Sequence, residues 1–232
     1  MAKKKEVIDY CRDFQPLSAI NVGYRLAVDK DFTDSFIELF PKEQKSIARR
    51  LGYVALGMHS TELSYHTPVH VLSILQFAKE NKIELTIPQK LCIFYHDVIY
   101  IVDNKNNEEL SADFARVCLD PYINELNLSY ICEGIIYTSF HLEDNLETDK
   151  YDLIMDLDLH SFALPEEYFL KQNSCVEKEF LDSGIPKEQW EDGRKKFLEM
   201  LYQKDNFFRT KFFRDKFEKQ AKDNIKKLID SL

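Results

Sequence analysis

The residues Leu91 to Tyr100, which read LCIFYHDVIY, form an apolar segment with His96 and Asp97 side by side in its middle. Burying an imidazole and a carboxylate without partners is costly, so a buried segment of this kind needs something that compensates them. A metal ion bound by both side chains would do so. The alternative is a histidine that hydrogen-bonds to a neighbour beside an aspartate that faces water. The rest of the chain has to decide between these two interpretations.

The composition favours helices and argues against nucleic-acid polymers as partners. Of 232 residues only six are Gly and seven are Pro, and long runs are rich in Leu, Glu, Lys and Phe. An apolar content of 44% is sufficient for a hydrophobic core. The net charge of −9 repels a polyphosphate backbone.

Cysteine usage and the absence of targeting signals predict a cytoplasmic protein. The five cysteines are an odd number without paired spacing, which is typical of reduced thiols rather than of a disulfide framework. The lysines near the start are not followed by an apolar segment, so no secretory signal is expected. No apolar run approaches the roughly 18 residues that a membrane span needs.

Hydrophobic periodicity predicts a single all-α domain of about eight to ten helices over residues 1–232, with a core at about 53–165 and C-terminal helices at 166–231 packed on it. Thr67 and Pro68 are the residue types of an N-cap and a first helical position. The predicted helices are two short ones in 33–57 with a break near Pro41, then 68–81, a central helix from Pro88 through Tyr100, a helix capped by Asn107 that ends near Leu119, one capped by Ser129 that ends near Leu142, 149–162, 166–181, 187–203 and 207–231.

Four groups with metal-binding chemistry lie on predicted inward faces of three different helices: His70, His96, Asp97 and Asp158. Two imidazoles and two carboxylates form a mixed nitrogen and oxygen site, which suits Mn²⁺, Fe²⁺, Co²⁺, Ni²⁺ or Zn²⁺ better than Mg²⁺. Four protein ligands on an octahedral ion leave positions for water and for a substrate oxygen. These residues therefore predict a divalent metal site with catalytic capacity.

The stretch 149–162 contains two acids that helical periodicity separates. Asp158 falls on the apolar stripe of this stretch and is expected to be buried. Asp156 and His160 fall on the opposite side and are expected to face solvent.

The order of these residues resembles that of the HD-domain phosphohydrolases, an all-helical superfamily with the signature His…His-Asp…Asp. The chain is most similar to the bacterial-type predicted metal-dependent phosphohydrolases, whose motifs are Tyr-His-x-x-x-His, Phe-His-Asp-x-x-Tyr, Asn-Glu-x-x-Ser-Ala and Asp-x-Asp-Leu. The corresponding segments here are Tyr65–His70, Tyr95–Tyr100, Asn107–Ala112 and Asp156–Leu159, and Gly193-Arg194 and Ala221–Asn224 are also similar. The resemblance covers roughly residues 53–228.

The resemblance implies roles for individual residues. The metal ligands would be His70, His96, Asp97 and Asp158. The Tyr-His-x-x-x-His segment is also similar to that of the cyclic-nucleotide phosphodiesterases, in which the first histidine donates a proton to the leaving group. By this likeness His66 is the general acid and, with Asp97, one of the catalytic residues. The alternative role for His66 is to hold a metal ligand in place.

Glu108 and His141 extend the candidate site. Each either holds a ligand or a metal-bound water, or binds a second ion. Dinuclear members of the superfamily usually supply two further histidines between the His-Asp pair and the last Asp, whereas this chain has only His141 there. A site with one ion is therefore favoured.

Two basic residues are candidates for binding an anionic substrate. The family pattern places an Arg shortly before Tyr65, but this chain has Glu62-Leu63-Ser64 there. The anion contact of that Arg is then missing, or is made by Arg194 or Lys105. A salt bridge is the simpler role for Arg194.

The expected function is hydrolysis of a small phosphate ester, with a nucleotide favoured, by metal-activated water. One alternative is a regulatory module that binds a nucleotide without turnover. Another is a di-iron oxygenase, because some HD-domain proteins use two irons with oxygen. The expected partners are small molecules rather than a nucleic-acid polymer or a membrane, and a homodimer is left open.

Overall fold

The computed structural model of this chain describes residues 8–16, 22–59 and 62–232. Within these ranges it contains ten α-helices and no β-strand, which confirms the predicted all-α class. The helices are α1 (Val22–Ile37), α2 (Lys45–Met58), α3 (Pro68–Glu80), α4 (Ile87–Tyr95), α5 (Asn107–Leu119), α6 (Glu125–Tyr137), α7 (Asp152–Asp158), α8 (Glu166–Asp182), α9 (Lys187–Gln203) and α10 (Lys211–Ser231). No helix in the described ranges has the length and apolar character needed to cross a membrane.

Local capping explains where α3 and α4 begin. The side chain of Thr67 accepts the N–H of Val69 at 3.3 Å, and Pro68 is the first residue of α3, as the sequence predicts. Thr86 forms a capping box with Gln89 at the start of α4. Neighbouring residues therefore determine where α3, which contains His70, and α4, which precedes His96, begin.

The prediction that the central helix continues through Tyr100 is wrong, because α4 ends at Tyr95. The backbone of the segment 99–101 is bonded to side chains of α5 instead of to a helical turn. Asn107 accepts the N–H of Ile101 and donates to its carbonyl, both at 3.0 Å. Ser111 accepts the N–H of Ile99 and donates to its carbonyl, both at 3.1 Å. Asn107 is therefore not the predicted cap, since its side chain is used for this contact.

Several other helix boundaries differ from the sequence-based prediction, and the helix expected from residue 33 is the end of α1, which begins at Val22. Helix α6 begins at Glu125 and not after Ser129, because Asn124 accepts the N–H of Asn127 at 3.0 Å and caps it. It ends at Tyr137, and a 3₁₀ turn follows in place of the predicted last helical turn. Helix α10 begins four residues later than predicted, where the side chain of Thr210 accepts the N–H of Phe213.

Asp156 is buried, whereas helical periodicity predicts that it faces solvent. Its carboxylate accepts the N–H of Arg209 at 2.7 Å, the N–H of Thr210 at 2.8 Å and the hydroxyl of Thr210 at 2.6 Å. The prediction fails because the chain leading into α10 covers this face of α7 and supplies the hydrogen-bond donors that a buried carboxylate needs. Asp156 thus joins the start of α10 to the helix that ends in Asp158.

His160 is also buried, contrary to the prediction. Its Nδ1–H donates to the carbonyl of Leu157 at 2.9 Å, so Nε2 accepts the hydroxyl proton of Ser73 at 2.7 Å. Burial lowers the pKa of His160 to about 3, so the ring is neutral. This ring stacks on that of His70, with centroids 5.8 Å apart, and supports it from the side of the core.

Aromatic packing anchors α4 in the core. Phe32 and Phe36 of α1 meet Phe94 of α4 edge to face, with ring centroids 4.9 and 5.1 Å apart. At the other end of the chain, the side-chain amide of Asn224 in α10 donates to the carbonyls of Phe162 and Leu164, both at 2.9 Å. The segments next to the four predicted metal ligands are therefore fixed by contacts from both the N-terminal and the C-terminal part of the chain.

Replacement of Asp156 by alanine is expected to lower the free energy of unfolding by on the order of 3 kcal/mol, because three donors lose their common acceptor. Chemical denaturation followed by far-UV circular dichroism measures this loss. Asp152→Ala, one turn earlier on the same helix, is the matched control and should cost less than about 1 kcal/mol. Equal losses in the two variants would contradict the structural role of Asp156.

Candidate metal centre

Four side chains from three segments place one ligand atom each within 4.8 Å of one another: His70, His96, Asp97 and Asp158. His70 lies in the first turn of α3, the pair His96-Asp97 directly follows α4, and Asp158 is the last residue of α7. The structure therefore brings together the four residues that the sequence singles out, and the group could hold a metal ion.

The carboxylates lie between the two imidazoles. Oδ1 of Asp158 is 3.0 Å from Nε2 of His70 and 3.3 Å from Nε2 of His96. Oδ2 of Asp97 is 2.9 Å from Nε2 of His96 and 3.8 Å from Nε2 of His70. The imidazoles are almost fully buried, whereas the Asp158 side chain is 19% exposed. The accessible side of the group is thus the side of the carboxylates.

The chemistry of His96 fits a bound cation. Its Nδ1–H donates to the carbonyl of Ile93 at 2.9 Å, so Nε2 holds the lone pair when the ring is neutral. This Nε2 is buried and makes no hydrogen bond, although both carboxylates are close to it. A lone pair that faces two carboxylate oxygens is repulsive unless a positive charge lies between them. A metal ion satisfies all three groups at once.

Both carboxylates are ionised in this arrangement. Burial favours the neutral form of Asp158, but His96, His141 and His70 outweigh it and hold its pKa well below the usual range. Burial also opposes ionisation of Asp97, but His96 and His66 lower the pKa of this carboxyl to about 2. Two negative charges at a buried site are the charge that one divalent cation neutralises.

His141 touches the group through Asp158 alone. Its Nε2 lies 2.8 Å from Oδ2 of Asp158, the oxygen that does not face the other two imidazoles. His141 does not belong to the four side chains whose ligand atoms converge. This geometry favours a role of His141 in orienting Asp158, rather than in binding a second ion. Glu108 is half-buried and, like His141, lines a cavity next to this group, and burial raises the pKa of its carboxyl.

His66 is held by a residue that sequence reasoning missed, the buried Glu179 of α8. Nδ1 of His66 lies 2.5 Å from Oε1 of Glu179, and Oε2 of the same carboxylate accepts the backbone N–H groups of Ser64, Tyr65 and His66 at 2.9 to 3.1 Å. One carboxylate therefore fixes both the ring and the loop that carries it. The only signal in the sequence is a glutamate in register with the apolar residues of α8.

The other contact of His66 is the ring of Tyr100. The two rings stack with centroids 3.5 Å apart and planes inclined by 13°. Tyr100 belongs to the segment 99–101 that Asn107 and Ser111 hold. The Asn-Glu-x-x-Ser-Ala motif thus supports the platform on which His66 rests. Burial lowers the pKa of His66, but Glu179 and Asp97 outweigh it and raise its pKa above the usual value.

A cavity of about 480 Å³ opens beside the four-residue group and lies within the size range of small-molecule sites. His66, Asp97, Asp158 and His141 line it at the end that we call the metal end. Lys105, a predicted anion contact, is exposed and is not among the residues that line it.

Arg194 lines the cavity but does not form the salt bridge that was the simpler prediction. Its Nε–H and one Nη2–H donate to the amide oxygen of Asn173 at 3.0 and 2.7 Å. Among the residues that the structure describes, no carboxylate lies within ion-pair distance of its guanidinium. Burial lowers the pKa of Arg194 to about 10, which reflects a cation without a compensating anion.

Comparisons of this chain with models of protein families, with curated proteins and with solved structures found no match. The resemblance to HD-domain phosphohydrolases is therefore carried by the motifs and by the group of residues that they form here. Membership of that family stays a prediction.

Protein incubated with Mn²⁺ and then freed of excess ion is expected to retain about one ion per chain, because the converging donors are four in number. Inductively coupled plasma mass spectrometry, with a separate protein assay, measures the ratio of metal to protein. Asp158→Asn should abolish retention, since one anionic ligand is lost.

Asp103→Asn is the matched control for this measurement. Asp103 is an exposed carboxylate on the wall of the same cavity, and its φ of 64° is one that asparagine tolerates. Retention should be unchanged in this variant. A ratio of two ions that falls to one in His141→Ala would show that His141 binds a second ion.

Proposed function

We propose that this protein is a metal-dependent phosphohydrolase of the HD-domain type that cleaves a small phosphate ester, with a nucleotide as the favoured candidate. The observation that carries the proposal is that His70, His96, Asp97 and Asp158 converge at one end of a cavity that His66 also lines. A divalent ion bound by these four groups would lower the pKa of a water molecule and stabilise charge on a phosphoryl oxygen.

His66 is suited to protonate the leaving oxygen. Its Nδ1 is engaged by Glu179, so Nε2 is the nitrogen that can carry a proton into the cavity. Glu179 acts through His66 by fixing its orientation and by stabilising its protonated form. The stacked ring of Tyr100 restricts rotation of His66 about its side-chain bonds. A general acid that is already oriented loses little entropy when the substrate binds.

The ligands themselves are held rigidly. His70 is supported by the neutral ring of His160, and Asp158 is oriented by His141. Asp97 is both a ligand candidate and the residue that, with Asp158, gives the metal end its negative charge. Such preorganisation is what metal-assisted hydrolysis requires of the protein.

Purified protein supplied with Mn²⁺, Co²⁺ or Ni²⁺ is expected to hydrolyse p-nitrophenyl phosphate or a nucleoside monophosphate, and a chelator should stop the reaction. His96→Ala should lower kcat/KM by about 100-fold or more, because it removes a ligand whose Nε2 has no other partner. Asp113→Asn, at an exposed position of α5 outside the cavity, should leave the rate unchanged. Full activity in His96→Ala, or no turnover with any of these ions across nucleotides and simple esters, would rule out the proposal.

His66→Gln tests the general-acid role through the leaving group. An alkyl phosphate has a poor leaving group that needs a proton, and its hydrolysis should slow by about 100-fold or more. The hydrolysis of p-nitrophenyl phosphate, whose leaving group is a stable anion, should slow by less than about 10-fold. Equal losses on both esters would mean that His66 positions a ligand rather than donating the proton. Far-UV circular dichroism of the variant controls for folding.

A further inference from the structure

The cavity is also lined by apolar and aromatic side chains from three segments outside the four-residue group, which we call the aromatic chamber: Phe162, Phe169, Val176, Phe180, Trp190 and Phe197. The rings of Phe180 and Trp190 lie with centroids 4.7 Å apart, and those of Phe162 and Phe169 lie 5.1 Å apart. Close-packed cores leave few voids of this size, so an open space walled by aromatic rings is a binding feature and not ordinary packing.

Arg194 lines the same cavity as these aromatic side chains. Its guanidinium is 5.7 Å from the ring centroid of Trp190 and 5.5 Å from that of Phe197, both in the aromatic chamber. Two of its five N–H groups are used by Asn173, and the others have no carboxylate partner in the described part of the chain. A half-buried guanidinium in this state favours an anionic ligand, and its planar array of donors matches the oxygens of a phosphate.

We propose that the aromatic chamber is a subsite for a flat, apolar ring system in the organic part of the substrate, and that Arg194 binds the phosphate attached to it. The inference rests on the proposed function for the identity of the anion, and it deepens that function by naming the substrate class: phosphate esters with an aromatic or heteroaromatic group. Small hydrophilic phosphate esters would leave the aromatic chamber unfilled and would bind more weakly.

Trp190 is the only tryptophan in the chain, so its fluorescence reports directly on this subsite. The probes are phenylphosphonate, which has a ring and is not hydrolysed, and methylphosphonate, which has the same anion without the ring. Phenylphosphonate should change the emission of Trp190 saturably, both with zinc and in metal-free protein. Methylphosphonate should displace it only at concentrations at least about 10-fold higher, because the ring buries apolar surface.

Phe197→Ala and Arg194→Gln separate the two halves of the subsite. Phe197→Ala should weaken phenylphosphonate by about 10-fold and leave methylphosphonate unchanged, because only the ring contacts this wall. Arg194→Gln should weaken both probes to a similar extent, because both carry the anion. Tyr202→Ala, an aromatic truncation on the same helix at a position 40% exposed and outside the cavity, is the matched control and should change neither. Phe180→Leu serves as a second variant of the aromatic wall if Phe197→Ala does not fold.

The inference is overturned if phenylphosphonate produces no saturable change, if the two probes bind equally well, or if Phe197→Ala weakens both alike. These results do not depend on turnover. A protein that hydrolyses simple phosphate esters but shows no preference for the ring would keep the proposed function and lose the aromatic subsite. A protein that prefers the ring but hydrolyses nothing would lose the proposed function and keep the subsite.

Discussion

The central constraint on this structure is the burial of two carboxylates against two imidazoles at the junction of α3, α4 and α7. Asp97 and Asp158 are both ionised, and Nε2 of His96 lies 2.9 Å from an oxygen of Asp97 and 3.3 Å from an oxygen of Asp158. In the absence of a cation these groups are held together by protons on the histidines. The fold therefore keeps, at a cost in stability, an arrangement that a metal ion would satisfy.

Each motif around this group contains residues that line the candidate site and residues that hold neighbouring segments in place. In Asp156-Leu157-Asp158 the second acid faces the other donors, and the first joins α7 to the start of α10. In the Asn-Glu-x-x-Ser-Ala motif, Asn107 and Ser111 bind the backbone on either side of Tyr100 and so support the ring on which His66 stacks. The supporting residues are buried and hydrogen-bonded, and they restrict the positions that the candidate site residues can take.

The sequence was sufficient to predict the all-α class, the start of α3, the start of α4 to within one residue, and the four donors, because capping and hydrophobic periodicity depend on neighbouring residues. It was not sufficient for Asp156, His160 or Glu179. Each of these polar groups is buried because a partner distant in the sequence compensates it: Arg209 and Thr210, Ser73, or the loop before α3. Periodicity assigns a polar residue to the surface by default and cannot detect such partners. The end of α4 was missed for the same reason, since the side chains of α5 bind the segment that follows it.

The contact between Glu179 and His66 joins residues 113 positions apart. The loop that carries His66 donates three backbone hydrogen bonds to the same carboxylate. These hydrogen bonds can form only after α8 has been synthesised and has packed against the loop. A nascent chain that has already formed the His-Asp pair and the segment around Tyr100 would still lack an oriented His66. On the proposed function, the general acid would be oriented later in biosynthesis than the four candidate ligands, and a product truncated before α8 would retain those four residues without an oriented His66.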